Sequence, residues 1–448
     1  MKAHVFREYD IRGIFPEELN EETVHELGRA IGTFYQDRGA RKVSLGRDCR
    51  LSSPVLFEAL RKGLLASGMK LVGINMVPTP VLYFSLHHLD VDGGIQITGS
   101  HNPPEFNGFK VCLGHASVYG KEIQEIRKIQ QARDFQSGEG TYEEADVTAP
   151  YMEYLVGSLK SGPVRRKVVV DAGNGAASHI APEIYQRMGF DVIPLFCEPN
   201  GHFPNHHPDP TIPENLVDLR EKVSESGADL GIAFDGDADR IGVIDRKGQI
   251  IWGDRLMVLF SRDLLERHPG AKVIGEVKCS QVLFDDIEKH GGKAIMWKAG
   301  HSLIKAKMKE EDALLAGEMS GHLFFAEDYY GYDDAIYAGA RLLEILSRKE
   351  GSLDALLADI PETFSTPEIR MECPEEKKFE VVKGLAEYFK KGYEVIDVDG
   401  ARVLFDGGWG LIRASNTQPV LVLRFEANTR ERLEAIRDIF MEKLKEYL

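Results

Sequence analysis

At 448 residues the chain is too long for one ordinary hydrophobic core, and its length predicts about three domains. Its 43% hydrophobic and 28% charged content is that of a soluble globular protein, and a formal charge of −16 argues against a nucleic-acid surface or a polybasic membrane contact while leaving room for a local positive pocket. Five scattered cysteines (Cys49, Cys112, Cys197, Cys279, Cys373), none in a Cys-x-x-Cys, imply a reducing compartment and no zinc site; with no apolar leader and no run of membrane-spanning length, a cytoplasmic location is expected.

The first clear element is helical: Val24, Leu27, Ile31 and Phe34 recur on one face, and residues 42–46 then read as a strand. Residues 93–98 form another strand, which runs into Thr98-Gly99-Ser100-His101-Asn102-Pro103. Asn102, Pro103 and Pro104 block a simple continuation, so the Ser100 hydroxyl is presented on a loop at a strand end, where α/β sites lie. Lys110 offers an acid, a base or a cation for a phosphate; alone it would read as surface charge. Residues 167–171 are a continuous apolar run, followed by the turn Asp171-Ala172-Gly173-Asn174-Gly175-Ala176-Ala177-Ser178 and a helix through Ile184 and Met188. That turn nearly spells a dinucleotide fingerprint. However, Ser178 replaces the third glycine and Asp191 precedes the strand at 192–195, so a structural turn is expected. His202, His206 and His207 lie among prolines with no nearby fourth ligand, which favours a rigid loop over a metal cluster.

Residues 230–234 run straight into Asp235-Gly236-Asp237-Ala238-Asp239-Arg240. A calcium loop opens the same way, but it needs Gly at its sixth position and Glu at its twelfth, where this chain has Arg240 and Arg246. Three alternate carboxylates beside an arginine suit a small hard cation such as Mg²⁺, shared with a phosphate. Residues 271–275 and 293–297 read as two more buried strands. Glu318, Ser320 and His322 would share one face of an extended segment, offering an acceptor, a hydroxyl and an imidazole to vicinal sugar hydroxyls. Arg413, Ser415, Asn416 and Thr417 make a cup suited to a phosphate dianion. Residues 419–425 read as a strand, and Leu433, Ile436, Phe440 and Leu444 line one face of the last helix.

This is the βαβ rhythm of parallel, helix-covered sheets. Turn-rich breaks near 140–150, 246–253 and 361–376 divide the chain into three α/β units, 1–146, 147–249 and 250–364, and a different tail, 365–448, with no exact internal repeat. A serine is a weak nucleophile, and a carboxylate triad is what a hard divalent cation needs. Together they suggest a serine that carries a phosphoryl group while a cation neutralises the moving charge. A metal-dependent phosphatase would also use an Asp-rich strand end, but it has no need of a second phosphate cup. A non-catalytic sugar-phosphate sensor has no need of the triad.

Taken in order, the motifs resemble the α-D-phosphohexomutase superfamily, and within it the phosphomannomutase/phosphoglucomutase group. The likeness runs from Phe6-Arg7-Glu8-Tyr9-Asp10-Ile11-Arg12-Gly13 to Arg413-Ala414-Ser415-Asn416-Thr417-Gln418-Pro419, essentially the whole chain. The resemblance implies three similar mixed-sheet α/β domains around a central cleft plus a smaller α+β C-terminal domain. By motif it implies that Ser100 is the phosphorylated serine, that Asp235, Asp237 and Asp239 with Ser100 hold Mg²⁺, and that Glu318 and Ser320 meet the sugar 3- and 4-hydroxyls. Arg413, Ser415, Asn416 and Thr417 become the clamp on the non-reacting phosphate, and His322 a further substrate contact. His101, Lys110, Arg240 and His301 match supporting positions in catalysis, and Arg7, Tyr9, Arg12 and Lys298 supporting positions in substrate binding. The implied activity is reversible conversion of hexose 6-phosphate and hexose 1-phosphate through a hexose 1,6-bisphosphate, which also serves as activator, by a monomer or dimer. Met319 is similar to the gluco/manno branch, since the glucosamine branch has Gln there and Ala in place of Gly99. Phosphoglucosamine mutase and phosphopentomutase are the alternatives within the superfamily.

Overall fold

The structure, a computed structural model, describes residues 1–415 and 419–448, whose strands form four sheets. The first has the spatial order Ile11–Ile14, Phe106–Leu113, Gly93–Ile97, Lys42–Arg47, Lys70–Met76, Thr141–Glu144, with Ala116–Ser117 beside Phe106–Leu113. The second runs Ile250–Ile251, Ile241–Asp245, Leu230–Phe234, Lys167–Asp171, Asp191–Leu195. The third runs Lys293–Trp297, Lys272–Glu276, Leu315–Gly317, Leu323–Phe325. These three are mixed sheets. The fourth is antiparallel, built on Gly408–Ala414 and Val420–Ala427 and packed against the helices Lys378–Phe389 and Arg430–Leu444.

Central strands are continuous apolar runs because both their faces are covered: every residue of Gly93–Ile97 and Leu230–Phe234 is buried. Lys293–Trp297, expected to be buried, is instead only partly covered, because it has a neighbour on one side alone. The helix Glu21–Asp37 starts where Asn20 and Thr23 cap each other's backbone amides, and Val24, Leu27, Ile31 and Phe34 lie in its buried stripe. On the last helix Ile436, Phe440 and Leu444 are buried and Leu433 partly so. One apolar core joins the first three units, from Leu82 and Phe84 through Ile232 to Leu256 and Ile336, while the fourth has its own around Phe389, Phe425 and Phe440.

The fold carries a repeat that the sequence hides. Gly93–Ile97 pairs in parallel with Lys42–Arg47 and antiparallel with Phe106–Leu113. Leu230–Phe234 stands in the same relation to Lys167–Asp171 and Ile241–Asp245, and Leu315–Gly317 to Lys272–Glu276 and Leu323–Phe325. Each time, the turn from the parallel strand to its antiparallel neighbour carries the candidate chemistry: Ser100, the Asp235 triad, and Glu318. Among the described residues no helix is long and apolar enough to cross a membrane.

Candidate active site

Ser100 is 3% exposed and adopts φ of 49°, with its amide donating to Thr98 Oγ1 at 2.9 Å. Its Oγ donates to Asp235 Oδ2 at 2.8 Å and lies 3.1 Å from His101 Nδ1. The serine and aspartate loops meet backbone to backbone. A Cβ at Gly236 would stand 2.5 Å from the Ser100 carbonyl oxygen, which is why glycine occupies that position.

Asp235, Asp237 and Asp239 are fully buried, with ligand oxygens within 4.8 Å of one another. Asp235 Oδ1 accepts the amides of Asp239 and Arg240, both at 3.1 Å. Lys110 Nζ lies 2.7 Å from Asp237 Oδ2 and also pairs with Asp239 Oδ2, and Thr79 Oγ1 donates to Asp237 Oδ2 at 2.5 Å. The Oδ1 atoms of Asp237 and Asp239 are left buried without a hydrogen-bond partner. Buried carboxylate oxygens are costly unless a counter-charge meets them, so this donor set fits a hard divalent cation. Burial, reinforced by Asp237 and Asp239, pushes Asp235 well above the usual carboxylate range. Burial acts the same way on Asp237, but Lys110 and the Thr79 hydroxyl outweigh it and hold that carboxyl low. Burial would lower Lys110, but Asp237 and Asp239 hold its ammonium above the ordinary value.

Arg240 Nε donates to His322 Nε2 at 3.0 Å. A neutral imidazole that accepts at Nε2 carries its proton on Nδ1. That atom lies 3.2 Å from Asp333 Oδ2 and 3.6 Å from Asp239 Oδ1, so His322 stands between the aspartate loop and Asp333. His301 Nδ1 lies 3.6 Å from the same Asp333 oxygen, and Lys305 pairs with Oδ1 at 2.9 Å. Burial, then Arg240 and Arg12, drives His101 well below its usual range; burial, then Lys305, does so for His301.

Glu318, Ser320 and His322 do not form the expected extended segment. The register of Leu315–Gly317 on Leu323–Phe325 forces a tight reversal, closed by Glu318 N to His322 O at 2.9 Å and Gly321 N to Glu318 O at 3.1 Å. Glu318 accepts Ser320 Oγ at 2.9 Å and Gly300 N at 2.5 Å, while His322 turns toward the aspartate loop. Beside the turn, Glu276 Oε1 accepts Met319 N at 3.2 Å and burial raises the Glu276 carboxyl to about 7. Lys278 stands 3.5 Å from Glu276 and 3.4 Å from Glu368.

The N-terminal segment and the fourth unit converge on one loop. Tyr9 OH donates to Ala299 O at 3.1 Å, and Asp399 Oδ2 accepts Ala299 N at 3.1 Å and Arg413 Nε at 2.9 Å. Arg12 pairs with Asp10 at 2.5 Å, and Arg7 is half-buried beside it. Lys298 is exposed near Glu8, away from the buried cluster. Ser415 is buried, and Asn416 and Thr417 lie outside the described residues.

The sequence reading missed Arg50, Thr79, Lys278, Asp333 and Asp399. Lys278 follows the strand Lys272–Glu276, so the strand-end logic that found Ser100 would have found it. The others act through backbone carbonyls or across units, and no local pattern marks them. His206 pairs with Asp171 at 3.0 Å and His207 with the His101 carbonyl at 2.5 Å, while the turn at Asp171 buttresses the aspartate loop through Ala176 N to Gly236 O at 2.9 Å.

Three repeated α/β units and an antiparallel fourth, meeting at a buried serine and a carboxylate triad, define the α-D-phosphohexomutase superfamily. Family models described as phosphoglucomutase/phosphomannomutase alpha/beta/alpha domains I, II and III match residues 3–137, 149–248 and 252–364, and that of the C-terminal domain matches residues 368–443. The chain belongs to the phosphoglucomutase/phosphomannomutase family. It is 48% identical over 441 residues to a phosphomannomutase/phosphoglucomutase of Pseudomonas putida, covering 98% of this chain and 95% of the relative. It is 46% identical over 442 residues to a phosphoglucomutase of Neisseria gonorrhoeae, covering 97% and 95%. The crystal structure of a phosphoglucomutase/phosphomannomutase family protein from Burkholderia thailandensis matches with a TM-score of 0.94 at 44% identity, over 100% of this chain and 98% of that one.

Proposed function

We propose that the protein is an isomerase that interconverts hexose 6-phosphate and hexose 1-phosphate, of mannose and glucose, through phosphorylated Ser100. The observation that carries this reading is the Ser100 hydroxyl, 2.8 Å from Asp235 inside a buried carboxylate triad, in a chain of this family. In the first transfer the bond from phosphorus to the serine oxygen breaks as one forms to the free sugar hydroxyl. The hydroxyl proton passes to His101 or His301, and a proton returns to the serine oxygen, which His101 Nδ1 faces at 3.1 Å. The 1,6-bisphosphate turns over and the other phosphate returns to Ser100 by the reverse steps. Asp235, Asp237 and Asp239 with Ser100 would hold Mg²⁺, which when bound supplies positive charge to the transferring phosphoryl group.

Lys110, held protonated by two aspartates, serves as a fixed cation rather than a base, and Arg240 adds a second positive charge near Asp235 and Asp239. Glu318 and Ser320 take the sugar 3- and 4-hydroxyls. Arg413, Ser415, Asn416 and Thr417 hold the non-reacting phosphate, with Arg7, Tyr9, Arg12 and Lys298 toward the rim. The same reading sets the units at 1–146, 147–249, 250–364 and 365–448, with hexose 1,6-bisphosphate as activator and a cytoplasmic location. The gluco/manno reading rests on Met319 and Gly99, which stand where the glucosamine branch has Gln and Ala. Mass spectrometry of the purified protein tests the proposal. One phosphate is expected on the peptide containing Ser100, with turnover of both mannose 1-phosphate and glucose 1-phosphate. Protein that cannot be phosphorylated on Ser100 by glucose 1,6-bisphosphate would defeat it.

A further inference from the structure

We propose that Arg50 is the positioning residue of the reactive serine: a buried guanidinium around which the serine loop is wound, and on which the presentation of Ser100 to Asp235 depends. Its side chain is fully buried. Nη1 donates to the carbonyls of Pro103 at 2.6 Å and Phe106 at 2.9 Å, and Nη2 to those of Ser100 at 2.7 Å and Asn102 at 2.5 Å. Nε faces Asp48 Oδ2 at 3.3 Å. That same oxygen accepts the Gly99 amide at 3.2 Å, and Asp48 Oδ1 accepts the Arg50 amide at 3.0 Å and Ser53 Oγ at 2.5 Å. The Asp48–Arg50 pair therefore grips the loop from Gly99 through Phe106.

The loop does not specify this shape by itself. Ser100 sits at φ of 49°, a region that side-chain-bearing L residues disfavour. Within it, backbone bonds run only from Asn102 N to Gly99 O and from Phe106 N to Pro103 O. Four carbonyl oxygens turned to one centre repel one another unless a multidentate cation lies between them, and the planar guanidinium fork supplies donors in fixed directions where an ammonium does not. The surroundings are shaped to Arg50 as well. A Cβ at Gly99 would meet its guanidinium at 2.5 Å, a Cβ at Gly201 would stand 2.8 Å from its Cα, and the Phe203 ring lies 5.3 Å from the guanidinium. The loop at 201–203 thus packs the second unit onto the residue that sets the serine. Among its described hydrogen bonds and ion pairs, Arg50 has none to the Ser100 hydroxyl or to a triad carboxylate, so it acts through the backbone.

The kinetic part of the inference rests on Ser100 as the phosphoryl carrier; the structural part does not. Arg50→Lys keeps the charge and removes the fork. In the full chain, hydrogen–deuterium exchange of amides at 98–107 should rise at least tenfold with exchange elsewhere unchanged. Phosphorylation of Ser100 by glucose 1,6-bisphosphate, followed by intact mass, and kcat should each fall at least thirtyfold, with KM within threefold. Wild-type loop exchange together with wild-type kcat overturns the proposal. So does exchange raised evenly across the chain with kcat lost only in proportion to the unfolded fraction, the mark of a merely structural residue. If Arg50→Lys does not fold, Gly99→Ala presses on the same contact from the loop side and is judged by the same criteria. Loop-specific loosening in a protein whose wild type never accepts phosphate on Ser100 would uphold Arg50 and defeat the phosphoserine reading instead.

Discussion

In the proposed mechanism the chemistry turns on Ser100, whose hydroxyl lies 2.8 Å from Asp235 and whose carbonyl accepts from the buried Arg50. Ser100→Ala should lower mutase flux by at least two or three orders of magnitude, on the order of 3–4 kcal/mol of barrier, since the covalent carrier is gone. Near-wild-type turnover in a coupled assay would rule the mechanism out. The triad makes a separate statement. Asp237 Oδ1 is orphaned while Oδ2 is occupied by Lys110 and Thr79, so Asp237→Asn removes charge where a cation needs it. Turnover should stop in EDTA and return with Mg²⁺, and the variant should need at least about tenfold more Mg²⁺ for half-maximal rate; full activity in chelator would remove the cation from the reading. Ser100 and the triad were legible because each is a polar cluster at the end of an apolar strand. Arg50 and Asp333 were not, because a residue that serves backbone carbonyls or gathers side chains from elsewhere in the chain leaves no local mark.

At the scale of elements, the apolar runs at 167–171 and 230–234 announced their strands, and the helical spacing of Val24 to Phe34 announced its helix. Glu318 to His322 was misread because period-two spacing describes a strand as well as a tight hairpin end, and only the pairing of its flanks decides between them. The three similar units leave no exact repeat in the sequence because their turns share geometry but few residues. The helix Ala335–Arg348, buried along nearly its whole length, is begun by Asp334. Asp334 is fully buried, accepts Tyr337 N at 2.8 Å and the hydroxyls of Tyr329 at 2.6 Å and Tyr151 at 3.0 Å, and is raised to about 6 by burial. The folded protein thus holds this proton more tightly than the unfolded chain, whose aspartates titrate near pH 4. The stability it contributes is full below about pH 4 and is lost as pH rises through about 6, on the order of 3 kcal/mol. Asp334→Asn keeps a capping oxygen but cannot ionise, so its urea midpoint should fall less between pH 4 and about 6.5 than that of the wild type. Parallel curves would show that Asp334 does not titrate in this window.

The whole molecule is closed by contacts that no single segment announces. Arg402 is buried in the fourth unit, stacked 3.8 Å from the Trp409 ring, and donates to the carbonyls of Val277 and Cys279, both at 2.7 Å. Glu426, two strands away across the sheet, accepts Ser280 Oγ and Trp409 Nε1, both at 2.9 Å. These bonds seat the fourth unit on the segment that carries Lys278, while Asp399 ties Arg413 to the Ala299 loop and Tyr9 ties that loop to the first unit. A mutase has to hold whichever phosphate is not reacting, release it, and recapture it with the sugar reversed. A phosphatase has no such task. In the proposed clamp the planar Arg413 fork would face the phosphate while its Nε stays on Asp399, 2.9 Å away. Arg413→Ala should therefore lower kcat/KM by roughly thirty- to hundredfold, about 2–3 kcal/mol, the scale of a hydrogen-bonded charge pair. It should also let the bisphosphate escape more often, so that unphosphorylated Ser100 accumulates and turnover comes to depend on added glucose 1,6-bisphosphate. Both effects are read from one titration of bisphosphate in the coupled assay. A change in kcat/KM below about threefold with an unaltered bisphosphate requirement would leave Arg413 as a structural partner of Asp399 and return the choice between mutase and phosphatase to the other residues of the cleft.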